Sequence, residues 1–138
     1  MPPIDIKAII IAFAAEIAAD FIIGTQLLVY FAGDKLVPNM TREEFLKVGQ
    51  IVYETTAFLP WAMVFGTATT MGGAYLAARI AKRLPYYHGL AMGILAIVYS
   101  LVFGSAEARW LAYLAILVSI PVSLYGAHLA KKHIPAET

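Results

Sequence analysis

A polytopic membrane four-helix bundle, all-α, with an extra amphipathic helix on its outer side, is the fold class that this sequence predicts. Three observations predict it. Hydrophobic residues make up 61% of the 138-residue chain and charged residues 14%, outside the usual balance of a soluble domain. Four apolar stretches are each long enough to cross about 30 Å of hydrocarbon at about 1.5 Å per helical residue. Basic residues collect at alternate connections, the pattern of the positive-inside rule. Four such stretches consume most of the chain, so residues 1–138 read as a single integral membrane domain.

The first span covers about residues 8–31, and its apolar run continues past Glu16 and Asp20 for longer than a signal-peptide core. The stretch "AGDKLVPN" ends it. Thr41 and Glu44 then have capping-box spacing. An amphipathic helix over about 42–58 follows, with Glu43, Lys47, Gln50 and Glu54 on one face and Phe45, Val48, Val52 and Leu59 favouring the other. Pro60 is expected to kink or end that segment, with Trp61 anchoring the start of a second span over about 61–80. The basic turn "KRLPYYHG" leads to a third span over about 86–103, and "GSAEAR" to a fourth over about 110–130, which contains Pro121. A membrane helix tolerates such a proline where neighbours satisfy the freed carbonyl.

Lys7, Arg79, Lys82, Arg83, Lys131 and Lys132 fall on one side, against Lys35, Arg42, Lys47 and Arg109 diluted by acids on the other. This predicts an inner (cytoplasmic) membrane location with both termini cytoplasmic. Trp61 and Trp110 then lie at the outer interface. The formal charge of +1, without a basic patch, gives no case for nucleic acid. The absence of cysteine excludes disulfides, thiolate metal sites and cysteine nucleophiles. There is no phosphate-cradling glycine loop, and no serine has an evident base and orienting acid. Neither an enzyme nor a cofactor is expected. His88, His128 and His133 do not supply facing intramembrane ligands for a two-haem bundle, and the His and carboxylate spacing leaves metal binding undefined.

Two acids stand out. Ala8, Ala12, Glu16, Asp20 and Gly24 recur at i+4, which places Glu16 and Asp20 on the small-residue ridge of the first span. Such ridges are where membrane helices approach one another, so the acids are expected to face protein or a watery crevice instead of lipid. Asp20 falls near mid-bilayer and Glu16 nearer the cytoplasm. Matching ridges carry Gly66, Thr70, Gly73 or Ala74, and Ala77; Gly89, Gly93, Ala96 and Ser100; and Ala112, Ala115, Ser119, Ser123 and Ala127. Gly24, Gly66, Gly73, Gly89 and Gly93 are read as helix-packing positions.

Two functional readings compete. In one, Glu16 and Asp20 bind or relay a proton or small cation, because neighbouring carboxylates in a low dielectric titrate as a coupled site. Thr70, Arg79 and His88 are the candidate supporting residues, Arg79 reaching toward Glu16 and His88 adding a titratable donor; the alternative places both among lipid headgroups. In the other, the acids hold partners in register, hydrogen-bonded to Thr67, Thr70, Ser119, Ser123 or a tyrosine, in a non-catalytic accessory or scaffold subunit of a membrane complex. Membrane lipids, and a homo-oligomer or larger membrane complex, are the expected partners.

The stretch "GGAYLAARIAKRLPYYHG", Gly72 to Gly89, resembles small four-span bacterial integral membrane proteins of unassigned function. These carry a Gly-Gly-aromatic-x-Ala-Ala-Arg helix end followed by His-Gly at the next span; here Ala74 displaces the aromatic to Tyr75. The resemblance implies the four-span arrangement, with an acid in the first span, and no particular activity. In size and in Glu16 the chain also resembles small multidrug-resistance transporters, which implies proton-coupled transport.

Overall fold

Helix boundaries in this chain follow local backbone chemistry. A computed structural model describes residues 4–54, 57–103 and 109–134, the side chains of 109–112 excepted. Helix α1 runs Ile6–Ala32, opened by Asp5, whose Oδ1 accepts the Ala8 N–H at 3.1 Å, satisfying one of the free donors of the first turn. Gly33 closes it at φ +50°, a conformation that costs glycine little. A short 3-10 turn, Gly33–Lys35, leads toward α2, Arg42–Glu54. Its capping box is formed as the sequence predicts: the Thr41 N–H donates to Glu44 Oε2 at 2.7 Å and the Glu44 N–H donates to Thr41 Oγ1 at 3.3 Å.

Helix α3 spans Phe58–Ala81, starting ahead of Pro60. The proline sits in the first turn, where its missing N–H would have had no partner, so it neither kinks nor ends a helix there. The amphipathic segment is described over Arg42–Glu54, and Thr55 and Thr56, expected within it, lie outside the described residues. Lys82, left-handed at φ 58°, ends α3 by donating its N–H to the Ala78 carbonyl, and Pro85 opens α4, Pro85–Phe103, at the first helical position. Helix α5, Arg109–His133, carries Pro121 inside it. The expected Gly104–Arg109 turn falls mostly on residues 104–108 and, like the side chain of Trp110, lies outside the described residues.

All five helices, with no strand among the described residues, make the protein all-helical. Two stretches, Pro85–Phe103 and Tyr113–His133, are long and apolar enough to cross a membrane. Helix α3 is the hub, packed against α1, α4 and α5, while α4 packs along α5. The core consists largely of alanine: Ala12, Ala74 and Ala77 close around Met92, and Ala78, Ala127 and Ala130 form a second fully buried group. Large apolar side chains point outward instead, Phe21 being 75% exposed, Leu117 72% and Leu101 65%. That distribution reverses the soluble pattern and suits close helix contact with an apolar surround. Helix α2 covers one end, burying Val48 and Val52 against Ala32 and Phe58.

Close approaches occur where side chains are smallest. A Cβ at Gly89 would lie 2.6 Å from the Ala127 Cβ, and one at Gly93 3.3 Å from the Ile120 Cα. Gly126, which the ridge reading passed over for Ala127, lets α5 meet α3, where a Cβ would lie 3.2 Å from the Tyr75 nitrogen.

The exposed capping box gives a pH signature. The Thr41 N–H, and then its hydroxyl, hold the Glu44 carboxyl below its ordinary value of 4.5, so its support for α2 is complete above that value and is lost as pH falls through the lower folded-state value. Amide hydrogen exchange in the first turn of α2 is expected to accelerate in that acid window, and Thr41→Ala to accelerate it already at neutral pH.

Candidate functional site: a carboxylate-lined cavity

Positions 16 and 20 are one turn apart on α1, so both acids face the same neighbour, α3. Glu16 is only 5% exposed. The Thr70 side chain lies beside its carboxyl, while Oε2 is buried without a hydrogen-bond partner. That oxygen lies over Gly73: a Cβ there would sit 2.5 Å from Oε2 and 3.0 Å from Met92 Cε. Glycine at 73 therefore makes the space in which the carboxyl rests. One turn on, the Thr69 hydroxyl hydrogen-bonds Asp20 Oδ1, and the same hydroxyl lies 2.9 Å from the Gly66 carbonyl.

Both acids line one cavity of about 290 Å³, together with Phe13, Thr67, Tyr99 and Ser119. It is roomy enough for several waters at about 30 Å³ each. No Lys, Arg or His lines it among the described residues. A wider, mostly apolar groove of about 640 Å³ adjoins it between α1, α2 and α3, and Asp20, Tyr53, Ala62 and Gly66 border both. On the other side of Glu16 the space ends at the fully buried layer of Ala12, Ala74, Ala77 and Met92.

The expected supporting residues divide. Thr70 reaches Glu16. Arg79 instead donates from Nη1 to the His133 carbonyl at 2.6 Å, capping the end of α5. His88 is fully buried and not among headgroups; its Nε2 accepts the Asp5 N–H at 3.0 Å and its Nδ1 lies 3.0 Å from the Leu84 carbonyl. An accepting Nε2 places the proton on Nδ1, and the ring so joined ties the start of α1 to the turn before α4. Among the helix-packing glycines, Gly73, Gly89 and Gly93 stand at close approaches, whereas a Cβ at Gly24 or Gly66 meets nothing within 4 Å. Those two line the groove, and Gly66 the cavity as well. Ser119 and Ser123 turn back on their own helix, bonding the Ala115 and Ile120 carbonyls.

Thr69 is the contact that ridge reading missed. In "GTATT", Gly66 to Thr70, successive residues point about 100° apart on a helix, so i+4 spacing selects Thr70 and passes over its neighbour. Adjacent hydroxyls opposite two acids were the signal. Among the described residues no group of three or more His, Cys, Asp or Glu side chains converges as a metal site. No protein-family model, curated protein or solved structure matches the chain.

Two substitutions separate the glycine roles. Gly73→Ala drives a methyl into the Glu16 carboxyl and is expected to destabilise the fold by about 1–3 kcal/mol, as overpacked sites do. Gly24→Ala, in open space within a helix, is expected to be neutral or stabilising by up to about 1 kcal/mol. Thermal unfolding in detergent checks both, and adding Glu16→Ala to Gly73→Ala should recover part of the loss.

Proposed function

We propose that the chain is a non-enzymatic four-span membrane protein that handles a proton or small cation through Glu16 and Asp20. Besides α4 and α5, helices α1 and α3 have 27 and 24 residues. At about 1.5 Å per residue both exceed the roughly 30 Å of a hydrocarbon core. The resemblance of Gly72–Gly89 to four-span proteins supports the same count, and the basic residues at alternate ends support cytoplasmic termini in the inner membrane. In that frame the cavity runs outward from Glu16, on the cytoplasmic side of mid-bilayer, and the Ala12, Ala74, Ala77 and Met92 layer closes it toward the cytoplasm.

The observation that carries the functional reading is Glu16, whose Oε2 is buried without a hydrogen-bond partner while its side chain borders a cavity shared with a second acid. An unsatisfied carboxyl oxygen away from water is costly, and it is stabilised by taking a proton or a cation that donates to it. Its neighbour Asp20 makes the site a coupled pair, in which uptake at one acid changes the other. With no three-ligand cluster among the described residues, a proton or a hydrated or hydrogen-bonding monocation fits better than a bare divalent metal.

The test is flux in proteoliposomes under proton and cation gradients. Glu16→Gln is expected to lower flux by about tenfold or more, the factor that accompanies loss of about 1.4 kcal/mol from a limiting step, and Asp20→Asn to alter its pH dependence. No flux from the parent protein under any gradient would discard this reading in favour of an accessory subunit.

A further inference from the structure

A site for a proton or a bare inorganic cation needs little more than its polar ligands, and the space around Asp20 is larger and more apolar than that. The cavity of about 290 Å³ holds Phe13, Tyr53 and Tyr99 beside the two acids. The adjoining groove of about 640 Å³ is lined by Phe21, Leu27, Phe45, Phe58 and Phe65, and Asp20 is the one carboxylate on its wall among the described residues. Its volume falls within the roughly 300–1,000 Å³ of small-molecule sites, which pair apolar walls with a few placed polar groups. The groove reaches the outside of the bundle, since Phe21 on its wall is 75% exposed and Phe45 45%.

Charge and shape both limit what can fill that space. No Lys, Arg or His lines the cavity or the groove among the described residues, so a guest that answers the acids brings the positive charge and the N–H donors itself. Glu16, 5% exposed, has Oε2 without a hydrogen-bond partner, and the Thr69 hydroxyl holds Asp20 where the two spaces meet. An acyl chain would leave the acids unanswered, and an inorganic cation would leave the aromatic walls without an occupant. Aromatic side chains beside carboxylates suit an organic ammonium, whose charge ring faces also attract. A Cβ at Gly24 or Gly66 would meet nothing within 4 Å, and both glycines line the groove, which leaves the width that a hydrocarbon body needs.

We propose that the cavity and the groove act as one binding site for an amphipathic organic monocation. The ligand is an amine whose ammonium lies at Asp20, with Glu16 as the second carboxyl, and whose apolar body fills the groove between α1, α2 and α3. In the four-span reading the groove opens at the level of the bilayer, so the ligand enters sideways from lipid, into which its apolar body partitions. The proposal rests on the reading of Glu16 and Asp20 as a cation site and names the class of cation, but binding is measured without any transport.

Equilibrium dialysis of the full chain in nanodiscs, corrected for uptake by protein-free nanodiscs, tests it. The probes are phenylbutylamine, protonated at neutral pH, and phenylbutanol, which has the same apolar body and no charge. Saturable amine binding is expected, with the alcohol weaker by about tenfold or more, the loss that accompanies one charge-assisted hydrogen bond. Asp20→Asn is expected to weaken the amine by about the same factor and to leave the alcohol as it was. Gly24→Leu, one turn beyond Asp20, puts a side chain into the groove and is expected to weaken both; should Asp20→Asn fail to fold, it and the comparison of amine with alcohol carry the test. Equal binding of amine and alcohol overturns the proposal, as do a lack of saturable amine binding and amine binding that either variant leaves unchanged. Proton or inorganic-cation flux without amine binding would sink this ligand class and leave the wider reading standing; amine binding without flux would keep the site and discard transport.

Discussion

The fit of the Glu16 carboxyl over Gly73 is the constraint on which the rest of the site depends. A glutamate on the contact face of α1 needs a volume that no alanine in the ridge vacates, and the missing Cβ at 73 supplies it. The same contact brings α1 onto α3 at the level where Thr69 and Thr70 present their hydroxyls to Asp20 and Glu16. Below it, Met92 and three alanines form a fully buried layer. Above it, Gly66 adds no side chain to the space, and the cavity opens. Packing density and void are thus arranged along one helix pair, with the partnerless oxygen near the boundary between them.

The outer helices serve this arrangement in a different way. With an alanine-rich interior, little of the stabilisation arises from burying large side chains, and close backbone approach must contribute through dispersion. Gly89, Gly93 and Gly126 provide it between α5 and its neighbours α3 and α4. Ends are fastened by polar groups: His88 joins the first turn of α1 to the Leu84 turn, and Arg79 closes the C-terminus of α5. Neither group takes part in the cavity. Arg79 and His88, the candidates to balance the acids, are instead used at helix ends, which leaves Glu16 and Asp20 without a cationic side chain among the described residues that line the cavity.

Much of this was legible in the sequence because helical periodicity is a local property. The capping box at Thr41, the acids sharing one face with Ala12, and the small-residue ridge that carries Gly89 and Gly93 all follow from spacing along a single helix. The effect of Pro60 depends on whether a helix starts before it, and the three residues ahead of it carry no decisive start signal. The choice of Thr69, the use of Gly66 as open space and the distant partners of Arg79 and His88 depend on rotation and crossing between helices. Spacing within one helix leaves those quantities undetermined. Arg79 and Glu16 are complementary in charge, yet the carbonyl at the end of α5 is what the guanidinium meets.

The most direct test of the central claim is the protonation of Glu16 itself. The ¹³C carboxyl resonance of Glu16, assigned by its disappearance in Glu16→Gln, can be followed across pH in bilayers while helix content is monitored in parallel. Exchange at this acid predicts that the resonance titrates while the fold stays intact. A carboxyl that keeps one protonation state over the whole range in which the fold survives would contradict the account and leave Glu16 as a packing element of the α1–α3 contact.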